Sequence, residues 1–215
     1  MPKNIASLFS GCGGLDLGFS GGFVFRNTVC ERLDTNIVFA NDFDRDAWAC
    51  YNNNELLTND GVHSRLGDIR EIPTNEIPNF DILLAGFPCQ PFSNAGNRKG
   101  VHDDNGRGTL FEECERIIRE KIEVGHRPEA FLFENVRGIL SSKMQDGVTT
   151  VPDEIHKRME NLGYQVSMKL VCSSDYGVPQ RRYRVLIVGI DATLGVGAFD
   201  FDRLKEVIQE YNIPS

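Results

Sequence analysis

Cys89 stands in the stretch GFPCQPFS, with Pro88 before it and Pro91 just beyond Gln90. A nucleophilic thiol must be exposed, oriented and able to lose its proton. A proline-braced turn at the end of the apolar run Asp81–Gly86 supplies the first two requirements. Glu134 closes the apolar run AFLFEN, where partial desolvation suits a proton donor near neutral pH. In QRRYRV, Arg182 and Arg184 alternate, so on a strand both would face one side. The stretch LFSGCGGLDLGF sets a glycine-rich turn between an apolar strand and the start of a helix, where the backbone can approach a ligand closely and the helix N-terminus attracts negative charge. Its glycines, Gly11, Gly13, Gly14 and Gly18, do not follow the dinucleotide spacing G-x-G-x-x-G. Asp42 ends a second apolar run, a position from which a carboxylate accepts hydrogen bonds from ribose hydroxyls. Phe43 offers a ring to an adenine face, and Asp68 in LGDIR an acceptor for an adenine amino group. Each feature also has a plainer reading: a packing turn, helix caps at Asp42 and Glu134, and a solvated edge strand carrying the arginines.

These residues need elements to hold them, and strand-like and helix-like segments alternate along the chain. Ile5–Phe9, Asn36–Asp42, Asp81–Gly86, Ala130–Asn135, YQVSMKLV and YRVLIVGI read as strands. Leu15–Phe19, FDRDAWACYNN, Thr109–Gly125 and VPDEIHKRMENLG read as helices, the last with Pro152 near its start and Gly163 after its end. The alternation predicts an α/β fold, a doubly wound and mainly parallel sheet with right-handed crossovers. Ligands in such folds sit beyond the carboxyl ends of the strands, where SGCGG, NDFD, GFPCQ and EN all fall. The piece from Pro91 to Gly108 has the length of an active-site lid.

Bulk properties narrow the class. With 215 residues, 40% hydrophobic and 25% charged, the chain has the composition of one large globular domain. It contains no apolar run of membrane-spanning length, and its first residues lack a signal-peptide pattern, so a cytoplasmic location is expected. The six cysteines form no C-x-x-C pair, which argues against a metal site and a disulfide framework and predicts mostly buried thiols. The net charge of −8 counts against a chain that wraps nucleic acid by itself.

The ordered motifs LFSGCGGLDLGF, GFPCQPFS, ENV and QRRYRV resemble those of bacterial DNA (cytosine-5)-methyltransferases, and ANDFD, GDI and GRGTLF fall where the intermediate motifs of that family belong. The resemblance covers roughly residues 4–190. It implies the Rossmann-like fold of methyltransferases that use S-adenosylmethionine and release S-adenosylhomocysteine. The cofactor would lie over Phe9, Gly11, Gly13 and Gly14, with Asp42 on the ribose, Phe43 stacked, Asp68 and Ile69 at the adenine, and Pro88 and Leu110 touching it. Cys89 would be the nucleophile, Glu134 the group at N3 of the base, and Arg182 and Arg184 the orienting cations. Phe87, Pro88, Gln90, Ser93 and Asn135 would line the substrate, a cytosine flipped out of double-stranded DNA. By the same resemblance residues 91–108 close over the base, and the setting is a bacterial cytoplasm, at the nucleoid, within restriction–modification.

Two departures shape the expectation. Extra chain, RNTVCERLDTN, precedes Asp42 and implies a surface excursion. Nothing after QRRYRV matches the recognition domain or the final Gly-Asn motif of the family. The reading is therefore a catalytic domain over residues 1–190, a linker or helix over 191–215, and a recognition half that a second chain could supply. A tRNA methyltransferase and a cofactor-binding fragment without turnover are the alternatives.

Overall fold

The computed structural model describes residues 1–25, 28–58, 61–88, 110–144 and 146–204. They divide into two compact units, Met1–Gly86 with Glu113–Phe131 and Phe87–Glu112 with Leu132–Ser215.

In the first unit β1 (Lys3–Leu8) pairs in parallel with β4 (Thr35–Asp42) on one side and β6 (Ile82–Ala85) on the other. The short β5 (Arg65–Leu66) extends the row in parallel beyond β4, which makes the order β5–β4–β1–β6. A parallel strand is covered on both faces, so its sequence is continuously apolar rather than alternating. Ile5, Ala6, Leu8, Ile37, Phe39, Ala40, Leu83, Leu84 and Ala85 are accordingly buried. The chain runs outward from β1 to β4 and β5, then returns to β6 on the opposite side of β1. This reversal of strand order makes the carboxyl ends of β1 and β6 the crevice where such sheets bind ligands.

Helix α1 (Gly14–Ser20) follows β1, and α2 (Arg45–Asn52) and the single turn α3 (Glu55–Thr58) follow β4. Asp44 caps α2, its carboxylate accepting from the N–H groups of Asp46 at 2.9 Å and Ala47 at 2.8 Å. The expected excursion before β4 contains β3 (Thr28–Cys30), which pairs antiparallel with β2 (Phe23–Phe25) just ahead of it. Helix α4 (Leu110–Glu123) buries Phe111, Cys114, Ile117, Ile118 and Lys121 at helical spacing.

Strand β7 (Ala130–Val136) passes from the first unit into the second, where the strand order is β7–β9–β8. Helix α5 (Val151–Asn161) is capped by the Thr150 hydroxyl, which accepts from Asp153 N–H at 3.2 Å. Strands β8 (Tyr164–Cys172) and β9 (Tyr183–Asp191) pair antiparallel along their full lengths. The last two strands run antiparallel because the chain between them, residues 173–182, holds no crossover helix.

Three expectations are corrected. Arg182 immediately precedes β9, so only Arg184 of the two arginines lies on the strand. Strand β9 lies between β7 and β8 and is not an edge. Of the described cysteines, Cys114 and Cys172 are buried, but Cys12 and Cys50 are exposed, on the glycine turn and the outer side of α2. No helix of the described residues is long and apolar enough to cross a membrane.

Candidate active site

The first unit carries the glycine turn. Phe9, directly after β1, has φ 54°, in the left-handed region that bulky residues rarely occupy. The turn that follows is tied to β4: Ser10 N–H donates to Asn41 O at 3.0 Å and Gly11 N–H to Asp42 Oδ2 at 2.7 Å. Gly13 has φ 83°, and a Cβ there would come within 2.1 Å of Leu57 Cδ1 and 3.0 Å of the Tyr51 ring. Only glycine satisfies both conditions. Nothing lies within 4 Å of where a Cβ on Gly11 would stand.

Beneath the turn sits a polar node that sequence reasoning missed. Asp16 is fully buried; it accepts from Ser7 Oγ at 2.5 Å and from the Tyr51 hydroxyl at 2.7 Å. Burial pushes the Asp16 carboxyl above the usual carboxylate range despite these donors, and burial pushes the Tyr51 phenol up as well. The available signal was an acid between Leu15 and Leu17 on a helix whose inward face must meet the sheet.

Asp42 and Asp68 mark the ends of the next elements. Asp42 accepts from Gly11 N–H and, through Oδ1, from Asp44 N–H at 2.8 Å, so the carboxylate read as a ribose acceptor also fastens the glycine turn to α2. A carboxylate offers about four acceptor positions, and these bonds use two. The Phe43 ring stands free in solvent, 74% exposed. Asp68 accepts from Arg70 N–H at 3.0 Å, and the Arg70 side-chain hydrogen bond holds its carboxyl below the usual range. Ile69 beside it is buried. Arg116 on α4 reaches Thr74 Oγ1 at 2.8 Å and the carbonyls of Ile69 and Ile72 at 3.3 Å, which clamps the segment carrying Asp68.

The second unit carries the other half of the predicted set. Phe87 packs with Phe111 and Phe133, ring centroids 5.7–6.1 Å apart. Asn135, 2% exposed, donates from Nδ2 to Phe87 O at 2.9 Å, and its Oδ1 accepts Val136 N–H at 2.9 Å. Both ends of this amide are thus committed to backbone, and the side chain braces the segment leading to Pro88. Pro88 is exposed and Leu110 half-buried. Cys89, Gln90 and Ser93, together with the lid expected at 91–108, lie outside the described residues.

Glu134 and Arg184 come together. They sit on neighbouring strands, β7 and β9, with Arg184 Nε 2.5 Å from Glu134 Oε1. Their side chains are 27% and 20% exposed, so both are reachable from solvent yet sheltered. Arg184 Nη1 also donates to Tyr183 O at 2.7 Å, which fixes the guanidinium. Arg182 is exposed.

Residues 3–212 match the family described as C-5 cytosine-specific DNA methylase. The chain belongs to that family. It is 40% identical over 212 residues to the type II methyltransferase M.BanI of Aneurinibacillus aneurinilyticus, covering 95% of this chain and 44% of that one. It is 38% identical over 200 residues to M.FnuDI of Fusobacterium nucleatum, covering 92% and 49%. The chain spans about half the length of these relatives. The fold is that of the Dnmt2 methyltransferase of S. pombe, with a TM-score of 0.71 at 23% identity over 99% of this chain and 57% of that one. A prophage-encoded putative DNA modification methyltransferase of E. coli matches with a TM-score of 0.65 at 25% identity, over 90% of this chain and 48% of that one.

Proposed function

We propose that this chain is the cofactor- and nucleophile-bearing part of an enzyme that methylates carbon 5 of cytosine in DNA. The observation that carries the reading is the sheltered Glu134–Arg184 pair, in a member of the C-5 cytosine methylase family. The residues of the first unit fit S-adenosylmethionine. The space over Gly11 admits a ligand to the backbone, Asp42 keeps acceptor capacity at the end of β4, and the exposed Phe43 ring is available for stacking, whereas Asp68 must share its carboxylate with the Arg70 guanidinium, which holds both oxygens. When bound, the cofactor supplies an electrophilic methyl group on a sulfonium.

The protein's share of the chemistry follows from the weakness of cytosine carbon 5 as a nucleophile. The Cys89 thiolate adds to carbon 6, forming a carbon–sulfur bond and moving the ring π electrons toward N3. Glu134 hydrogen-bonds or protonates N3, which stabilises that charge. Arg184 holds the Glu134 carboxyl in place and orients the base, and Arg182 adds positive potential. After carbon 5 has taken the methyl group, its proton leaves to a base, the electrons return to the ring and the bond to Cys89 breaks. Asn135 acts earlier, by fixing Phe87 and so the segment that presents Pro88 and Cys89. The target base must leave the duplex, at a cost of a few kcal/mol.

Replacing the carbon 5 hydrogen by fluorine blocks the last proton loss and tests the scheme. Duplex DNA containing 5-fluorocytosine, with S-adenosylmethionine present, is expected to give a denaturation-resistant adduct that Cys89→Ser abolishes. An adduct that survives the substitution identifies another nucleophile. Adduct formation on tRNA but not on DNA overturns the choice of substrate.

A further inference from the structure

An acidic chain that works on DNA must place its few uncompensated cations where phosphates pass. In the second unit Arg158 pairs with Glu112 at 3.3 Å, Lys169 with Asp202 at 2.8 Å and Arg184 with Glu134 at 2.5 Å. Arg137 and Arg181 are arranged differently. Both are exposed, and neither makes an ion pair among the described residues. They instead converge on one aromatic side chain. The Arg137 guanidinium lies over the Tyr183 ring, 5.5 Å from its centroid, and Arg181 Nη2 donates to the Tyr183 hydroxyl at 3.4 Å. A guanidinium stacked on a ring keeps its N–H donors pointing sideways and free for an anion.

The scaffold under these two residues is rigid. Between β8 and β9 the chain closes on itself: Ser173 N–H donates to Arg182 O at 2.9 Å, Ser173 Oγ to Gln180 O at 2.7 Å, and Val178 N–H to Ser173 O at 3.2 Å. Arg137 follows directly on Val136, the last residue of β7, three positions after Glu134. Tyr183 is the residue before Arg184. Arg137 thus adjoins β7 and Tyr183 opens β9, the two strands that carry Glu134 and Arg184. The exposed carboxylate on the same turn is Asp175, which accepts from Ser174 Oγ at 3.4 Å.

We propose that Arg137 and Arg181, held on Tyr183, form a ledge that binds backbone phosphates of the duplex beside the flipped cytosine. The proposal rests on the methyl-transfer reading above and adds to it a contact that is independent of base sequence. Phosphate contacts position the protein and carry no sequence information. Such a ledge lets an acidic chain hold the strand at the reacting base whatever surrounds the target. Two guanidiniums pre-set by an aromatic ring and a closed turn lose less freedom on binding than two solvated side chains would.

Counterion release makes the ledge measurable. Binding of a fluorescent duplex is followed against potassium chloride for the wild-type chain and for Arg137→Gln, Arg181→Gln and the double variant. Each single change is expected to make the slope of log K against log salt shallower by about 0.9, and the double change by about 1.8, equally for unrelated duplex sequences. Arg137→Lys and Arg181→Lys, which keep the charge, should retain most of the slope, and Arg203→Gln, another exposed arginine of the same unit, should leave it unchanged. Unaltered slopes in the glutamine variants, equal losses in the lysine variants, no duplex binding at low salt, or an effect confined to tRNA would each overturn the ledge. The 5-fluorocytosine adduct separates the two ideas. Adduct formation with unaltered slopes sinks the ledge alone, whereas altered slopes without any Cys89 adduct sink the methyl-transfer reading.

Discussion

Glu134 and Arg184 are joined across neighbouring strands, and on the proposed reading the guanidinium orients the acid that would meet the base. Glu134→Gln keeps the shape and removes the proton-donating acid, so the single-turnover rate of methyl transfer is expected to fall by about 100- to 10,000-fold, with cofactor affinity unchanged in calorimetric titration. Asp16 makes a prediction of a different kind. Its folded-state pKa lies above the unfolded value of 3.8, so the folded chain binds more protons over the window between the two. Stability then decreases as pH rises through that window and is greatest below it, the opposite of a salt-bridged carboxylate. Asp16→Asn removes this dependence. The difference in urea midpoint between wild type and variant is expected to shift in favour of the variant as pH rises from about 4, and a difference that is flat with pH refutes the assignment.

At the scale of elements, the glycine turn is where strand, turn and helix have least freedom. Gly13 is confined by a left-handed backbone, by Leu57 on α3 and by Tyr51 on α2, whose hydroxyl is held by Asp16 on α1. Gly13→Ala is therefore expected to destabilise the chain by about 2 kcal/mol or more, from a Cβ in a strained backbone and from displaced neighbours. Urea unfolding measures the first effect, and a weakened titration with S-adenosylhomocysteine reports the displaced turn. In the second unit the corresponding fastening is Asn135. The motif reading placed this residue at the substrate, whereas its amide spans Phe87 O and Val136 N–H. The sequence could not distinguish these roles, since an asparagine at a strand end suits either. The bond to Phe87 O, 48 positions away in the chain, shows the fastening role.

For the whole molecule, charge sets what the chain can do without further cationic surface. At a net charge of −8 general attraction to DNA is weak, so on the proposed function binding would depend on a few local contacts. On that reading the KM for duplex DNA in methyl transfer is expected to be at least about tenfold above that of a longer relative such as M.BanI, with cofactor affinity similar. Equal KM values would show that this surface suffices. Much of this molecule was legible in the sequence because its signals are local. The apolar runs of β1, β4, β6, β7 and β9, the caps at Asp44 and Thr150, and the ordered motifs all depend on near neighbours and on burial of parallel strands. Local pattern determined the fold class, the family and the identity of Glu134 and Arg184 as candidates. Tertiary structure alone decided which candidates meet. It joined Glu134 to Arg184 across neighbouring strands, left Arg182 outside β9, turned Asn135 inward and buried Asp16 against Tyr51. The physical reason is that a hydrogen bond or ion pair between strands depends on register and on which neighbour covers each face. Those are properties of the packed chain and not of any stretch of it.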